Sequence, residues 1–265
     1  MRLGVSLGLH DCLVPDWPAP SGVRALITTR AGGVSQGSLQ GLNLGRSVGD
    51  APAAVAENRR RVGQLIGAAP RWMSQVHGVE VARLDDLQPD VPITADAAVS
   101  MMRGTVCTVM MADCLTVLFC DKNGSVVAAA HAGWRGLADG VLEAAIAAMR
   151  TAPQHIMAYM GPAIGPGAFE VGNDVRDIFL TRALPAERAG VEAAFIARPN
   201  ATPSKWLADI YALANIRMLR AGIAAQQVFG GGRCTYADEG RFFSYRRSTH
   251  VGEKSGRMAA MIWLE

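Results

Sequence analysis

The stretch Thr105–Gly136, TVCTVMMADCLTVLFCDKNGSVVAAAHAGWRG, carries most of the information about the fold. It contains three short apolar segments rich in β-branched residues, at Thr105–Met111, Leu115–Cys120 and Ser125–Ala130. Such segments, separated by Asp, Asn and Gly, predict buried strands. Apolar residues then recur at helical spacing from Leu137 to Met149. The stretch therefore predicts a mixed α/β domain.

Further strands are predicted on both sides of this stretch. Val23–Thr29 has the composition of a strand that enters a Gly/Ser-rich loop, and Phe242–Arg246 and Met258–Leu264 are two more candidates. Because strand side chains alternate between faces, one of Arg246 and Arg247 is expected to face inward and the other to face solvent.

Two longer helices are also predicted. One is capped by Asp50, runs through Ile66 and stops at Gly67, and the other runs from about Lys205 to Ala221. The Ala/Pro-rich segment 182–203 has weak periodicity and is predicted to be a surface excursion. No repeat or domain boundary stands out, so residues 1–265 are predicted to form one domain.

The composition favours a cytoplasmic enzyme. Half of the 265 residues are hydrophobic, and the five scattered cysteines imply no disulfide framework. A reducing compartment would suit a thiolate ligand. The apolar run Leu3–Leu9 is too short to span a membrane. The net charge of +3 comes from dispersed arginines, which argues against a nucleic-acid-binding stripe.

Three residues of metal-binding type lie at predicted strand ends. They are His77 in SQVHG, Cys114 in ADCL and His131 in AHAGWRG. Loops at strand ends can converge while the strands hold them rigid. Two imidazoles and one thiolate suit zinc, whose catalytic sites use three protein ligands and an open fourth position. Each residue taken singly also fits a structural role, as we expect for the packing cysteines Cys107 and Cys120.

Three polar residues are candidates for contact with a substrate. Arg135 lies at the predicted start of a helix, where backbone N–H groups and a partial positive charge favour an anion. Arg30, in a glycine-rich loop, is a second anion candidate, and Asn43 is a candidate contact to a sugar or base. No role is predicted for Cys234 or His250.

Ten short segments spread along the chain carry a family resemblance. They are TTRAGGVS at 28–35, LNLG at 42–45, GD at 49–50 with ENR at 57–59, QVHG at 75–78, ADC at 112–114, HAGWRG at 131–136, GPAIGP at 161–166, FFSYRR at 242–247 and GRMAA at 256–260. Together they make the chain similar to the YfiH family. That family is also labelled the multicopper polyphenol oxidoreductase or laccase-domain family, and more recently purine nucleoside phosphorylases.

The resemblance implies a fold, a cofactor and an activity. The implied fold is a single-domain, layered α-β-β-α sandwich with mixed sheets, and the implied zinc ligands are His77, Cys114 and His131. The implied activity is phosphorolysis of adenosine, inosine and methylthioadenosine, together with adenosine deamination. The partners are then a purine nucleoside and phosphate, and no oligomeric state is predicted.

Two other enzyme classes stay open. A His₂Cys set also suits a blue-copper centre, but a multicopper oxidase needs further histidines, and only His10, His155 and His250 remain. Alternatively, Cys114 is the nucleophile of a hydrolase with a histidine as its base. Relatives linked to the editing of peptidoglycan precursors would fit such an amidase. A pure binding module is the least favoured class.

Overall fold

The computed structural model describes residues 7–88, 91–199, 202 and 204–265. The strands are β1 (Cys12–Leu13), β2 (Val23–Thr28), β3 (Pro70–Arg71), β4 (Met73–Ser74), β5 (Val81–Arg83), β6 (Ile93–Thr94), β7 (Ala97–Ser100), β8 (Val106–Met111), β9 (Leu115–Asp121), β10 (Val127–Ala132), β11 (Ile156–Met160), β12 (Glu170–Gly172), β13 (Phe195–Arg198), β14 (Lys205–Ala208), β15 (Val228–Gly230) and β16 (Met258–Leu264). The α-helices are α1 (Pro52–Ile66), α2 (Trp134–Asp139), α3 (Val141–Ala148), α4 (Asn173–Arg182), α5 (Arg188–Ala193), α6 (Ile210–Arg220) and α7 (Tyr245–His250).

Two mixed sheets form the centre of the molecule. Over the described residues, one sheet has the strand order β1-β2-β16-β8-β3 and the other has the order β15-β11-β9-β10-β7-β5. Within the first, β16 pairs antiparallel with β2 and β8, whereas β3 pairs parallel with β8. Within the second, β9, β10 and β7 are antiparallel neighbours, and β5 joins β7 in parallel.

The two sheets pack face to face between two layers of helices. Strand β9 places Val117 and Phe119 in the core shared with α3 and α6, and its alternate residues Leu118 and Cys120 in the core between the sheets. On the far side of the first sheet, Val62 of α1 lies in a third apolar cluster. These three cores confirm the predicted α-β-β-α layers with mixed sheets.

Most strands of the opening stretch lie where the sequence predicts them, with one shift that matters. Strands β8, β9 and β16 agree with prediction to within one residue at each end. Strand β10 begins two residues later than predicted, because the amide and hydroxyl of Ser125 bond to the Asp121 carboxylate in the preceding turn. His131 consequently lies inside the strand, paired with Thr116, instead of following its end.

The prediction of a strand at Phe242–Arg246 is wrong. Residues Tyr245–His250 form α7, and the Ser244 hydroxyl caps this helix by accepting a hydrogen bond from the Arg247 amide. Arg246 and Arg247 therefore do not alternate between faces. Both are partly buried, and their guanidinium groups donate to backbone carbonyl oxygens.

Two helix boundaries also differ from prediction. Helix α1 ends at Gly67 as predicted, but its cap is Ala51, because the Asp50 carboxylate is engaged by Ser35 and Asn43. Residues Lys205–Ala208 are extended in β14, and α6 begins only after Asp209, whose carboxylate caps its first turn.

Two further regions are more ordered or more divided than predicted. The helical pattern from Leu137 to Met149 is split into α2 and α3 by Gly140, which has a left-handed φ of 107°. The segment predicted as a surface excursion contains α5 and β13, and β13 joins a small sheet of order β12-β14-β13.

Most of the apolar run Leu3–Leu9 lies outside the described residues. Among those described, every helix is too short or too polar to cross a membrane.

Candidate metal centre

The fold brings His77, Cys114 and His131 together, as the sequence predicts. One donor atom from each of them lies within 4.8 Å of the other two, and Cys114 Sγ is 3.8 Å from His77 Nε2. Zinc bonds of about 2.0–2.3 Å to nitrogen and sulfur would fit an ion among these donors. His131 is buried, Cys114 is half-buried and His77 is exposed, so one side of the cluster faces solvent.

Each donor is delivered by a different part of the second sheet. His131 lies in β10, Cys114 immediately precedes β9, and His77 occupies a bend between β4 and β5. His77 has a φ of 60°, and Asp113, next to Cys114, has a φ of 84°. Left-handed backbone is uncommon for residues with a side chain, and it persists only where surrounding contacts hold it.

Asp96 holds both histidines, His77 through its backbone and His131 through its ring. Its buried carboxylate accepts backbone amides from Val76, His77 and Gly78 at 3.1, 2.9 and 2.7 Å, and lies 2.8 Å from Nδ1 of His131. Burial would raise the pKa of Asp96, but the hydrogen bond with His131 and these amides lower it overall. A carboxylate at Nδ1 leaves Nε2 of a neutral imidazole to bind a metal.

Asp113 anchors the backbone beside Cys114 in a similar way. Its carboxylate accepts hydrogen bonds from the Thr235 hydroxyl at 2.6 Å, the Ser244 hydroxyl at 2.9 Å and the Arg246 amide at 2.7 Å. Its backbone oxygen accepts from the Ile164 amide at 2.8 Å. The segments 161–166 and 242–247, which are distant from Cys114 in the sequence, therefore pack next to it in the fold.

Gly133 and Gly136 allow the loops to approach closely. A Cβ atom at Gly133 would lie 2.7 Å from Cδ2 of His77 and 3.2 Å from Sγ of Cys114. A Cβ atom at Gly136 would lie 2.7 Å from the backbone oxygen of Gly78. Gly133 is thus required by contact with the side chains of His77 and Cys114, and Gly136 by contact with the backbone of Gly78.

The electrostatic environment sets Cys114 apart from the packing cysteines. Burial opposes ionisation of Cys114, but the charge of His131 and hydrogen bonds with both histidines lower the thiol pKa overall. Burial would lower the pKa of His131, while the Cys114 thiolate and Asp96 raise it overall. By contrast, burial raises the pKa of Cys120 to about 12, and Cys107 is likewise fully buried, as predicted for packing residues.

The two arginines predicted to contact a substrate, Arg135 and Arg30, lie in different places relative to the three metal-binding side chains. Arg135 is exposed on α2, two residues after Gly133, with its guanidinium 4.4 Å from the ring centroid of Trp134. Arg30 donates to the carbonyls of Glu239 and Gln40, and no contact in the described structure joins it to the three ligands. Contact of either arginine with a substrate stays a prediction.

The side-chain amide of Asn43 is fully hydrogen-bonded to neighbouring groups of the protein. Its amide nitrogen donates to the Gly45 carbonyl and the Asp50 carboxylate, and its oxygen accepts from the amides of Gly45 and Arg257. These bonds use all four positions of the side-chain amide. The structure therefore gives Asn43 a supporting place beneath Arg257, and a direct contact with a sugar or base stays a prediction.

Arg257 and Tyr245 are two residues near the cluster that sequence reasoning did not single out. Arg257 is half-buried with its guanidinium 5.8 Å from the Tyr245 ring centroid, and Tyr245 is 56% exposed. Burial lowers the pKa of Arg257, and the nearby negative charges of Cys114 and Asp113 oppose this shift. Both residues lie in segments that carry the family resemblance, which was the available signal.

Cys234 and His250 lie outside the cluster of donors. The Cys234 sulfur accepts hydrogen bonds from the amides of Gly165 and Ala237, at 3.2 and 3.4 Å. His250 is exposed and contacts the Tyr236 hydroxyl at 3.3 Å. Neither residue shares a contact with the three metal-binding side chains among the described residues.

Replacing Asp96 with asparagine is expected to weaken zinc binding by about 10- to 100-fold, the usual cost of losing a carboxylate that orients a ligand. The amide NH₂ cannot accept the N–H groups that one carboxylate oxygen now accepts. Affinity is measured by competition with a coloured chelator. Asp121→Asn is the matched control, because Asp121 is also buried and also accepts amides in a turn. Native affinity in a folded Asp96→Asn protein would contradict the orienting role.

Comparison with known proteins gives a consistent assignment. Residues 24–265 match the family described as multi-copper polyphenol oxidoreductase laccase. The chain is 51% identical over 257 residues to a Pseudomonas aeruginosa protein named purine nucleoside phosphorylase, covering 97% of this chain and 100% of that one. It is 49% identical over 259 residues to Escherichia coli purine nucleoside phosphorylase YfiH, again covering 97% and 100%.

Solved structures agree with the sequence comparison. The crystal structure of Neisseria meningitidis protein NMB0706 superposes with a TM-score of 0.88 at 48% identity, covering 96% of this chain and 99% of that one. YlmD from Geobacillus stearothermophilus superposes with a TM-score of 0.81 at 29% identity and 94% coverage of both chains. The chain belongs to the multi-copper polyphenol oxidoreductase laccase family, whose members include proteins named YfiH-type purine nucleoside phosphorylases.

Proposed function

We propose that the chain is a zinc-dependent purine nucleoside phosphorylase of the cytoplasm, acting on adenosine, inosine and methylthioadenosine, with adenosine deaminase activity as well. The observation that carries the proposal is the open set of two imidazoles and one thiolate formed by His77, Cys114 and His131. Relatives named purine nucleoside phosphorylase, matched over 95% or more of this chain, support it.

The donor set suits a reaction that handles anions. A zinc ion held by one thiolate and two neutral imidazoles would keep a net charge near +1 and supply Lewis-acid stabilisation. In phosphorolysis, a phosphate oxygen bonds to C1′ of the ribose as the glycosidic bond breaks. The bonding electron pair leaves with the purine, which is then protonated, and the products are ribose 1-phosphate and the free base.

The chain's own residues position this chemistry. Asp96 orients the ring of His131 and fixes the backbone of His77 through one carboxylate. Asp113 holds the backbone beside Cys114 against three polar groups from the C-terminal quarter of the chain. Such supporting hydrogen bonds keep reacting groups at fixed separations, which is a large part of catalytic rate enhancement.

A cysteine hydrolase is the second candidate. The lowered thiol pKa of Cys114 and its 3.8 Å separation from His77 Nε2 are what a nucleophile and its base require. A multicopper oxidase has less support. His10, His155 and His250 are all exposed, and the described residues contain no second group of metal-binding side chains.

Product analysis by chromatography tests the proposal. Metal-defined protein is incubated with adenosine or inosine, with and without phosphate. Phosphate-dependent formation of ribose 1-phosphate and free base is the expected result, and inosine formed from adenosine without phosphate would report the deaminase activity. Intact nucleosides under all these conditions, in protein carrying stoichiometric zinc, would reject the proposal.

A further inference from the structure

Arg257 presents an unused pair of donors beside the metal centre. Its Nη1 donates to the backbone oxygens of Ser255 and Gly256, at 2.9 and 3.1 Å. Among the described residues, Nε and Nη2 have no hydrogen-bond partner, and no carboxylate forms an ion pair with this guanidinium. The Nε–Nη2 edge carries two parallel N–H groups, which is the edge that binds an oxyanion through two hydrogen bonds.

The backbone of Arg257 is fixed. Its amide donates to Asn43 Oδ1 at 2.9 Å, and its carbonyl accepts from the Leu44 amide at 3.0 Å. A Cβ atom at Gly45 would lie 2.8 Å from Cγ of Arg257, so the glycine leaves the room that this side chain occupies. Three residues of the LNLG segment, Asn43, Leu44 and Gly45, therefore contact Arg257.

The guanidinium is held on the side of the cluster that contains Cys114. Asp113 accepts hydrogen bonds from the Ser244 hydroxyl and the Arg246 amide, the two residues that flank Tyr245. The Tyr245 ring in turn lies 5.8 Å from the Arg257 guanidinium. These contacts connect the Arg257 guanidinium, through Tyr245, to the backbone beside Cys114.

We propose that Arg257 binds the phosphate substrate, through the Nε–Nη2 edge, at an anion subsite between Tyr245 and the metal-binding residues. The assignment of phosphate as a substrate rests on the proposed function, whereas the anion subsite rests on the geometry alone. A half-buried guanidinium without a carboxylate partner is incompletely compensated, and an oxyanion with two or three acceptor oxygens completes its hydrogen bonding. Arg257 is then a binding residue distinct from Arg30 and Arg135.

The test measures binding of inorganic phosphate by calorimetric titration, to both metal-free and zinc-loaded protein. Arg257→Gln is expected to weaken phosphate binding by about 10- to 100-fold, the range for losing hydrogen bonds to a charged group. Arg257→Lys keeps the charge but loses the paired donors, so its binding is expected to be several-fold weaker than that of the native protein. Zinc content should remain native in both variants.

Arg176→Gln is the matched control, because Arg176, on α4, is also half-buried and its guanidinium lies 4.2 Å from the ring centroid of Trp206 in β14. Its phosphate affinity should equal that of the native protein. In turnover assays, Arg257→Gln is expected to raise the KM for phosphate while the KM for inosine changes little.

The outcomes separate this inference from the proposed function. If native protein binds phosphate but does not cleave nucleosides, the proposed function fails, and the titration still decides whether Arg257 forms the anion subsite. Native phosphate affinity in a folded Arg257→Gln or Arg257→Lys protein overturns the inference even where phosphorolysis is present. Absence of phosphate binding to the native protein overturns it as well.

Discussion

Replacing any one of His77, Cys114 and His131 with alanine is expected to abolish nearly all turnover and to lower bound zinc far below one ion per chain. The three donor atoms lie within 4.8 Å of one another, so each variant removes a third of the protein ligands. Residues that act as one unit fail together, and the double variants should lose little beyond the single ones. Metal content is measured by atomic emission. Turnover is measured with inosine and phosphate as substrates.

A matched control is available for the histidine variants. His155 is exposed and lies in a short turn before β11, away from the cluster. His155→Ala should therefore keep both native zinc content and native turnover. If His77→Ala retains zinc and activity equal to His155→Ala, the metal centre as described here is wrong.

Metal removal and alkylation of the native protein separate metal catalysis from cysteine nucleophilic catalysis. Both mechanisms need Cys114, so the loss of this thiol alone does not distinguish them. If Cys114 is a zinc ligand, a chelator should inactivate the native enzyme reversibly, and bound metal should protect the thiol from alkylation. If Cys114 is a free nucleophile activated by a histidine, rigorously metal-free protein should keep full activity and be readily alkylated.

The clustering of the three metal-binding side chains could be predicted from the sequence, but the residues that hold them in place could not. The chain has only five histidines and five cysteines, and His77, Cys114 and His131 lie in distinctive segments. Asp96 contacts His77 across 19 residues and His131 across 35, and it lies in none of the segments that carry the family resemblance. A buried aspartate that accepts four N–H groups has no local sequence pattern, because its partners come together only when the sheet forms.

Secondary structure could be predicted where burial alone decides it. Strand β9 is apolar on both faces because each face contacts a core, and its sequence shows this directly. The aromatic segment Phe242–Arg246 is also predicted to be a strand, yet α7 begins within it at Tyr245. That outcome depends on Ser244 and the Arg246 amide bonding to Asp113, a contact across more than a hundred residues that local propensity does not encode.

Gly133→Ala is expected to weaken zinc binding more than 10-fold and to lower turnover by about 100-fold, the order that a displacement near 1 Å costs a catalytic group. The added Cβ would lie 2.7 Å from Cδ2 of His77 and 3.2 Å from Sγ of Cys114. The backbone at Gly133 has φ −58° and ψ 153°, which alanine adopts without strain. The effect therefore comes from contact with the ligands and not from the backbone.

The metal-free protein makes this variant decisive. His77 is exposed, so without zinc its ring can rotate away from the new methyl group at little cost. Metal-free Gly133→Ala should then unfold at nearly the native temperature, while the rise in Tm on adding zinc is largely lost. Gly22→Ala is the control, since a Cβ there meets no atom within 4 Å and should change neither quantity. An equal zinc-induced rise in both variants would mean that His77 moves freely, as a surface histidine does and a ligand does not.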